Sequence, residues 1–179
     1  MAYLFEAYLD PESDAKVRRL WRVLFERGMG DSHLRNDSTP HLTLLTCTDL
    51  DEAAARAALA VVARLPPFSV PLRGLAIFPG ERATLYLPPV PSVELLDLRR
   101  ACLGAARAAG GHPADDRPTD GRPWAPHVSL ARRLLPVALP GAVGVLHDQD
   151  LTIDARVVRI GFLRDRPIVR LGEWDLGGA

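Results

Sequence analysis

The sequence predicts a mixed α and β domain in which one structural unit is written twice. Two observations carry this reading. Pro-His-Leu-Thr-Leu at 40–44 and Pro-His-Val-Ser-Leu at 126–130 read as the same strand. Each lies at the same place in a β-α-β-α-β order that runs through the chain twice and ends with one added strand. A length of 179 residues suits one domain, here of two lobes, that buries a sizeable core. Two such units are a pseudo-symmetric duplication; a solenoid has shorter and more numerous repeats. The first half covers about 1–78, and the second half with the final strand covers about 83–176. Packed about an approximate two-fold axis, the halves bring equivalent strands side by side.

Tyr3 to Leu9 is an aromatic and aliphatic strand, ended by Asp10-Pro11-Glu12, which is helix-start chemistry. Val17, Leu20, Trp21, Leu24 and Phe25 then recur at helical spacing up to Gly28. Trp21 and Phe25 belong to the core on this reading. Residues 28–40 form a polar loop with His33 exposed, and Pro40 sets the chain extended into His41. Asp49 or Asp51 caps an alanine-rich helix that Pro66-Pro67 stops. Phe68 to Phe78 reads as a strand, turning through Pro79–Arg82 into Ala83–Leu87 as a hairpin. A helix over Val93 to Ala106 follows. The Gly, Pro and Asp-rich stretch 110–123, with His112, reads as a mobile, solvated loop placed to act as a flap over the second motif. Leu134 to His147, broken by Pro136, Pro140, Gly141 and Gly144, is weakly helical at best. Leu151–Phe162 and Ile168–Leu176 are the last strands.

Apolar residues at 47% and charged residues at 25% are ordinary globular values. The formal net charge is zero, so no global field recruits nucleic acid. Lys16 is the only lysine, and the arginine-dominated positive charge reads as coding bias; arginine still offers bidentate phosphate contacts wherever it lines a pocket. Cys47 and Cys102 do not make a disulfide framework. In a regular strand Cys47 shares a face with His41 and Thr43. That raises a catalytic thiol, against the simpler reading of a small, half-buried strand residue. No signal peptide and no uncharged run of about 18 residues is visible. A soluble, cytoplasmic protein without membrane contact is the expectation.

Side chains alternate faces along a strand, so His41 and Thr43 share one face, and His127 and Ser129 share another. Leu42, Leu44, Val128 and Leu130 point the other way. Two imidazoles facing each other supply a proton acceptor and a proton donor near pH 7. Hydroxyls beside them hold non-bridging oxygens as charge builds on a phosphate. The scheme requires no metal, and Cys-x-x-Cys, HExxH, serine-hydrolase and P-loop patterns are absent from the sequence.

The paired motifs resemble the H-x-[ST]-h signature, with h apolar, of the 2H phosphoesterase superfamily. The surroundings resemble its LigT-like branch, the 2′-5′ RNA ligase or RNA 2′,3′-cyclic phosphodiesterase family. Gly74-Leu75-Ala76-Ile77-Phe78-Pro79 with Ala83-Thr84-Leu85-Tyr86 is similar to that family's GhxxFP…hLW segment. Trp124-Ala125-Pro126-His127-Val128-Ser129-Leu130-Ala131-Arg132 is similar to its F-x-PHhTLxR run. The resemblance implies an α+β bilobal fold, each lobe an antiparallel sheet with outer helices, and a central cleft. It implies opening of a 2′,3′-cyclic phosphate, on RNA 3′ ends or small cyclic nucleotides, to a 2′-phosphate, with 2′-5′ ligation in reverse. His41 and His127 become the acid and base, and Thr43 and Ser129 hold the phosphate. His127 is assigned as the base and His41 as the acid. Arg132 is a phosphate ligand if a bulge turns it to the cleft. Phe78, Tyr86 and Trp124 are candidates to stack on a base or ribose, against core packing. No cofactor is implied, and a monomer is expected. The alternatives are a nucleotide- or phosphate-binding module without turnover, and a phosphodiesterase acting on 2′-5′ or 3′-5′ oligonucleotides.

Overall fold

Strand β1 (Ala2–Leu9) is the centre of the larger sheet, with buried residues along most of its length. It pairs antiparallel on one side with β2 (His41–Thr48), which begins at the first motif. On the other side it pairs with β10 (Arg156–Arg164), and β11 (Val169–Asp175) follows outside that. The computed structural model describes residues 1–30, 32–35, 38–114 and 124–178. Short strands β7 (His112–Pro113) and β3 (Phe68–Ser69) add to β2 and β10 respectively. A second sheet has the order β5 (Ala76–Phe78), β6 (Ala83–Leu87), β8 (Val128–Leu134), and β8 carries the second motif. A small pair joins β4 (Leu72–Arg73) to β9 (Thr152–Ile153). Among the described residues every one of these pairings is antiparallel.

Sheet membership cuts across the order of the chain. The late strands β10 and β11 complete the sheet of the first motif, while β5 pairs with β6. The stretch expected as one strand over 68–78 is instead β3, β4 and β5, each with a different partner. Pro71 and Gly74 (φ +74°) divide it. The hairpin across Pro79–Arg82 forms as expected, as β5 and β6.

Helix α1 (Pro11–Glu26) starts as the sequence predicts, with the Asp10 carboxylate accepting from the Ser13 N–H and Pro11 in the first turn. Val17, Leu20, Trp21 and Leu24 are buried, whereas Phe25 lies at the exposed rim. A four-residue turn, α2 (Ser32–Arg35), follows. Asp51 caps α3 (Glu52–Val62), and Ser92 caps α4 (Val93–Ala108).

Two expectations are corrected here. The segment 134–147 holds a 3-10 turn at Pro136–Ala138 and a regular helix, α5 (Leu139–His147). Pro140 sits in its first turn, where a missing N–H costs nothing. Gly141 lies under Met29, where a Cβ would come within 2.8 Å of the Met29 Cε. Burial of Ala142 and Leu146 outweighs the weak local propensity. The start of the stretch 110–123 is not a free loop: His112 and Pro113 pair with Thr48 and Cys47 at the sheet edge. Residues 115–123, the body of the expected flap, lie outside the described residues.

Candidate active site

Each motif strand carries a bulge just beyond its hydroxyl residue. On β2, Thr43 stands opposite Glu6 and Leu45 opposite Phe5, leaving Leu44 as the extra residue. Leu44 and Leu45 are therefore both buried, and the alternation inverts after them. Thr46 joins His41 and Thr43 on the cleft face, and Cys47 turns into the core. The shared face expected for Cys47 is thus corrected, and burial pushes its thiol up to about 11, which leaves no reactive thiolate. On β8, Ser129 stands opposite Tyr86 and Ala131 opposite Leu85, leaving Leu130. The same inversion brings Arg132 to the cleft with His127 and Ser129. Thr46 stands to His41 as Arg132 stands to His127.

The two imidazoles are held alike. His41 Nδ1 donates to the Thr39 carbonyl at 2.6 Å, and His127 Nδ1 donates to the Ala125 carbonyl at 2.8 Å. With each Nδ1 proton fixed on the carbonyl two residues earlier, Nε2 is the nitrogen left for chemistry. Two tryptophans pin the strands in an equally matched way. Trp124 Nε1 donates to the Thr43 carbonyl at 3.0 Å, and Trp21 Nε1 donates to the Ser129 carbonyl at 2.9 Å. Each lobe's hydroxyl residue is thus tied by an indole from outside its strand.

Their surroundings differ. The Glu6 side chain, in a residue only 6% exposed, brings Oε1 to 3.4 Å from His41 Nε2. The Tyr8 hydroxyl donates to Glu6 Oε2 at 2.9 Å, and burial together with the Glu6 charge keeps that phenol protonated. His41 therefore has a carbonyl hydrogen-bonded at Nδ1 and a carboxylate oxygen 3.4 Å from Nε2. His127 is instead packed edgewise by Phe78 at 4.9 Å and Tyr86 at 5.4 Å between centroids, and those two rings stack on each other. Burial depresses its pKa below the ordinary imidazole range. Positive charge at His41 and Arg132 adds to this, and the Ala125 hydrogen bond opposes it.

A cleft of about 560 Å³ runs between the lobes. His41, Thr43 and Thr46 line it from one motif strand, and His127, Ser129 and Arg132 from the other. Leu4 and Glu6 line it from β1, and Ser38, Arg133, Asp165 and Ile168 also belong to its lining. Among the described residues, Phe78, Tyr86 and Trp124 are not in its wall. The first two box His127, while Trp124 packs on the core beneath the Arg99 guanidinium, 4.5 Å from the ring centre. His33, expected to be exposed, is buried and lines the cleft.

Glu6, Thr46 and His33 are among the cleft residues that sequence reasoning missed, with Leu4, Ser38, Arg133, Asp165 and Ile168. Glu6 had a signal, as the one charged residue within an otherwise aromatic and aliphatic strand. Thr46 lay on the wrong parity until the bulge was known. Among the described residues no group of three or more His, Cys, Asp or Glu is arranged to hold a metal ion, and no helix is long and apolar enough to cross a membrane.

The architecture is similar to that of solved phosphoesterase-type proteins. TT0787 of Thermus thermophilus superposes with a TM-score of 0.68 at 22% identity, over 99% of each chain. E. coli LigT complexed with 3′-AMP gives 0.59 at 18% identity, over 97% of each chain. E. coli LigT complexed with phosphate gives 0.56 at 16% identity, over 97% of this chain and 96% of that one. No curated protein matches the sequence. The model of the 2′-5′ RNA ligase superfamily matches residues 8–167. With that match spanning both motif strands and the cleft between them, the chain belongs to the 2′-5′ RNA ligase superfamily, with the α+β LigT-like fold of the 2H phosphoesterases.

Proposed function

We propose that the protein is a metal-independent cyclic phosphodiesterase that opens a nucleoside or RNA-terminal 2′,3′-cyclic phosphate to a 2′-phosphate. The observation that carries this reading is the pair of matched imidazoles lining one cleft, each with Nδ1 committed to a carbonyl. His127 Nε2 takes a proton from water as its oxygen attacks phosphorus. The bond from phosphorus to the 3′-oxygen breaks, and His41 Nε2 gives that oxygen a proton. Exchange with solvent then restores both rings.

The unequal surroundings favour this polarity. His41 has the Thr39 carbonyl on Nδ1 and the Glu6 carboxylate 3.4 Å from Nε2, a setting that suits the acid. His127 sits among aromatic edges with its pKa depressed, which suits a base. Thr43, Ser129, Thr46 and Arg132 line the cleft, and on this reading they hold phosphate oxygens as charge develops. E. coli LigT complexed with 3′-AMP and with phosphate, two structures of similar fold, supports a nucleotide or phosphate as the ligand here. With a 5′-hydroxyl in place of water as the nucleophile, His127 taking its proton and His41 protonating the departing 3′-oxygen, the same step joins a 2′-5′ bond. On this reading the protein works as a cytoplasmic monomer, without a cofactor, on RNA 3′ ends or small cyclic nucleotides.

The test is turnover of nucleoside 2′,3′-cyclic phosphates, with ³¹P NMR to identify the 2′- or 3′-monophosphate product. His41→Ala and His127→Ala are each expected to lower kcat by about 10²–10⁴-fold. Activity is expected to persist in EDTA; loss in EDTA restored by a divalent metal would sink the proposal. A p-nitrophenyl phosphodiester, whose leaving group needs no proton, separates the roles. There His41→Ala is expected to lose far less than His127→Ala, and the opposite order would reverse the assignment.

A further inference from the structure

His33 is an unusual residue to bury. It sits on α2, whose next residue Leu34 packs against the core, and is only 7% exposed. Its ring stacks on Trp21 at 4.5 Å between centroids with 10° between planes, and it lines the cleft beside His41, His127 and Arg132. Nε2 is buried with no hydrogen-bond partner among the described residues. A polar atom left this way destabilises a fold, and phenylalanine would stack on Trp21 without that cost.

Burial, together with positive charge at His41 and Arg132, pushes the His33 pKa down to about 4. The ring therefore neither competes for the proton moved by His41 and His127 nor adds charge to a cleft already holding Arg132. An unpartnered Nε2 is least costly as a bare lone pair, which puts the single ring proton on Nδ1. The result is a neutral donor on a residue that lines a site read as binding an anion, a lining that also holds the Glu6 and Asp165 carboxylates and the Arg132 and Arg133 guanidiniums.

We propose that His33 is a third substrate-facing imidazole, a hydrogen-bond donor to the phosphoryl group held between His41 and His127. It rests on the reading of this cleft as a phosphate site. It adds a neutral imidazole donor to the hydroxyls and the arginine that the reaction scheme gives to the phosphate oxygens, and it ties the substrate to Trp21, whose indole anchors Ser129.

The experiment measures binding without turnover. The full chain is titrated with inorganic phosphate and with a nucleoside 2′-monophosphate by calorimetry, and thermal unfolding is recorded for each variant. His33→Phe keeps the stack and removes the donor. Its affinity is expected to fall about 10- to 100-fold, the range for a hydrogen bond to a charged group. Its melting temperature is expected to hold or rise, because the orphaned nitrogen is gone. His33→Asn, whose amide nitrogen falls near the Nδ1 position, is expected to recover most of the affinity. The ratio of wild-type to phenylalanine affinity is expected to stay flat from pH 6 to pH 8, well above the depressed pKa.

Equal affinity in His33→Phe overturns the proposal. So does lost affinity accompanied by a lower melting temperature and not recovered by asparagine. Should the phenylalanine variant fail to fold, His33→Asn decides: affinity within about threefold of wild type sustains the proposal, and a larger loss ends it. A wild type that binds phosphate but turns over no cyclic phosphate removes the hydrolase reading and leaves this comparison intact. A wild type that binds neither probe overturns both.

Discussion

Glu6 is what makes two nearly identical imidazoles unequal. Its carboxylate stands 3.4 Å from His41 Nε2 and is steadied by the Tyr8 hydroxyl, while His127 is enclosed by Phe78 and Tyr86. Glu6→Gln keeps the shape and removes the charge. On a cyclic phosphate it is expected to lower kcat about tenfold or more, and on a p-nitrophenyl diester much less, because only the first needs a proton on its leaving group. Equal losses on both substrates would mean that Glu6 acts on the fold and not through His41. Arg132 presents a different case, a cation reaching the cleft beside Ser129. Arg132→Ala is expected to raise KM about tenfold in steady-state kinetics, with Arg132→Lys restoring only part of it, since an ammonium does not reproduce the bidentate fork.

At the scale of the element, the bulges and the indoles decide where the reactive atoms stand. The extra residues Leu44 and Leu130 let His41, Thr43 and Thr46, and likewise His127, Ser129 and Arg132, face one cleft. Trp21 and Trp124 then hold the two motif strands by their backbones. Trp21→Phe keeps a ring in place and removes the N–H to Ser129. It is expected to cost about 1 kcal/mol in a urea melt, with kcat falling alongside as the strand loosens. The β10 residue Gly161 has a related role. Tyr8 lies across it so closely that a Cβ would come within 2.5 Å of the ring. Gly161→Ala is therefore expected to displace Tyr8 and free Glu6. Its kinetic signature is to match Glu6→Gln, on top of about 1–3 kcal/mol of overpacking in the melt.

Across the whole molecule, the burial of an uncharged histidine sets a pH dependence of stability. The folded-state pKa of His33, about 4, lies below its ordinary 6.5. As pH falls through 6.5 the unfolded chain takes up a proton that the folded chain refuses until about pH 4. Stability contributed by neutral His33 is thus present above pH 6.5 and is lost progressively between 6.5 and 4. It amounts to about 3 kcal/mol as an order of magnitude. Urea melts at pH 7, 5.5 and 4.5 are expected to show this decline in wild type and a shallower one in His33→Phe. Matching slopes would place the acid sensitivity elsewhere.

Much of this was legible in the residues alone. The two Pro-His motifs, the helix start at Asp10, a second one narrowed to Asp49 or Asp51, and the hairpin across Pro79–Arg82 all follow from patterns a few residues long. Local periodicity and capping are properties of a segment, so the chain by itself determined where most helices and strands lie and which two histidines would meet. Other features belong to pairs of segments. Whether Cys47 or Thr46 faces the cleft depends on one unpaired residue opposite β1, and no count along β2 reveals it. The return of β10 and β11 to the first motif's sheet, the approach of Glu6 to His41 and the burial of His33 on Trp21 are likewise set by register and packing between distant stretches. Those only the tertiary structure decided, because hydrogen-bond register across strands, and not alternation within one, fixes which side chains share a surface.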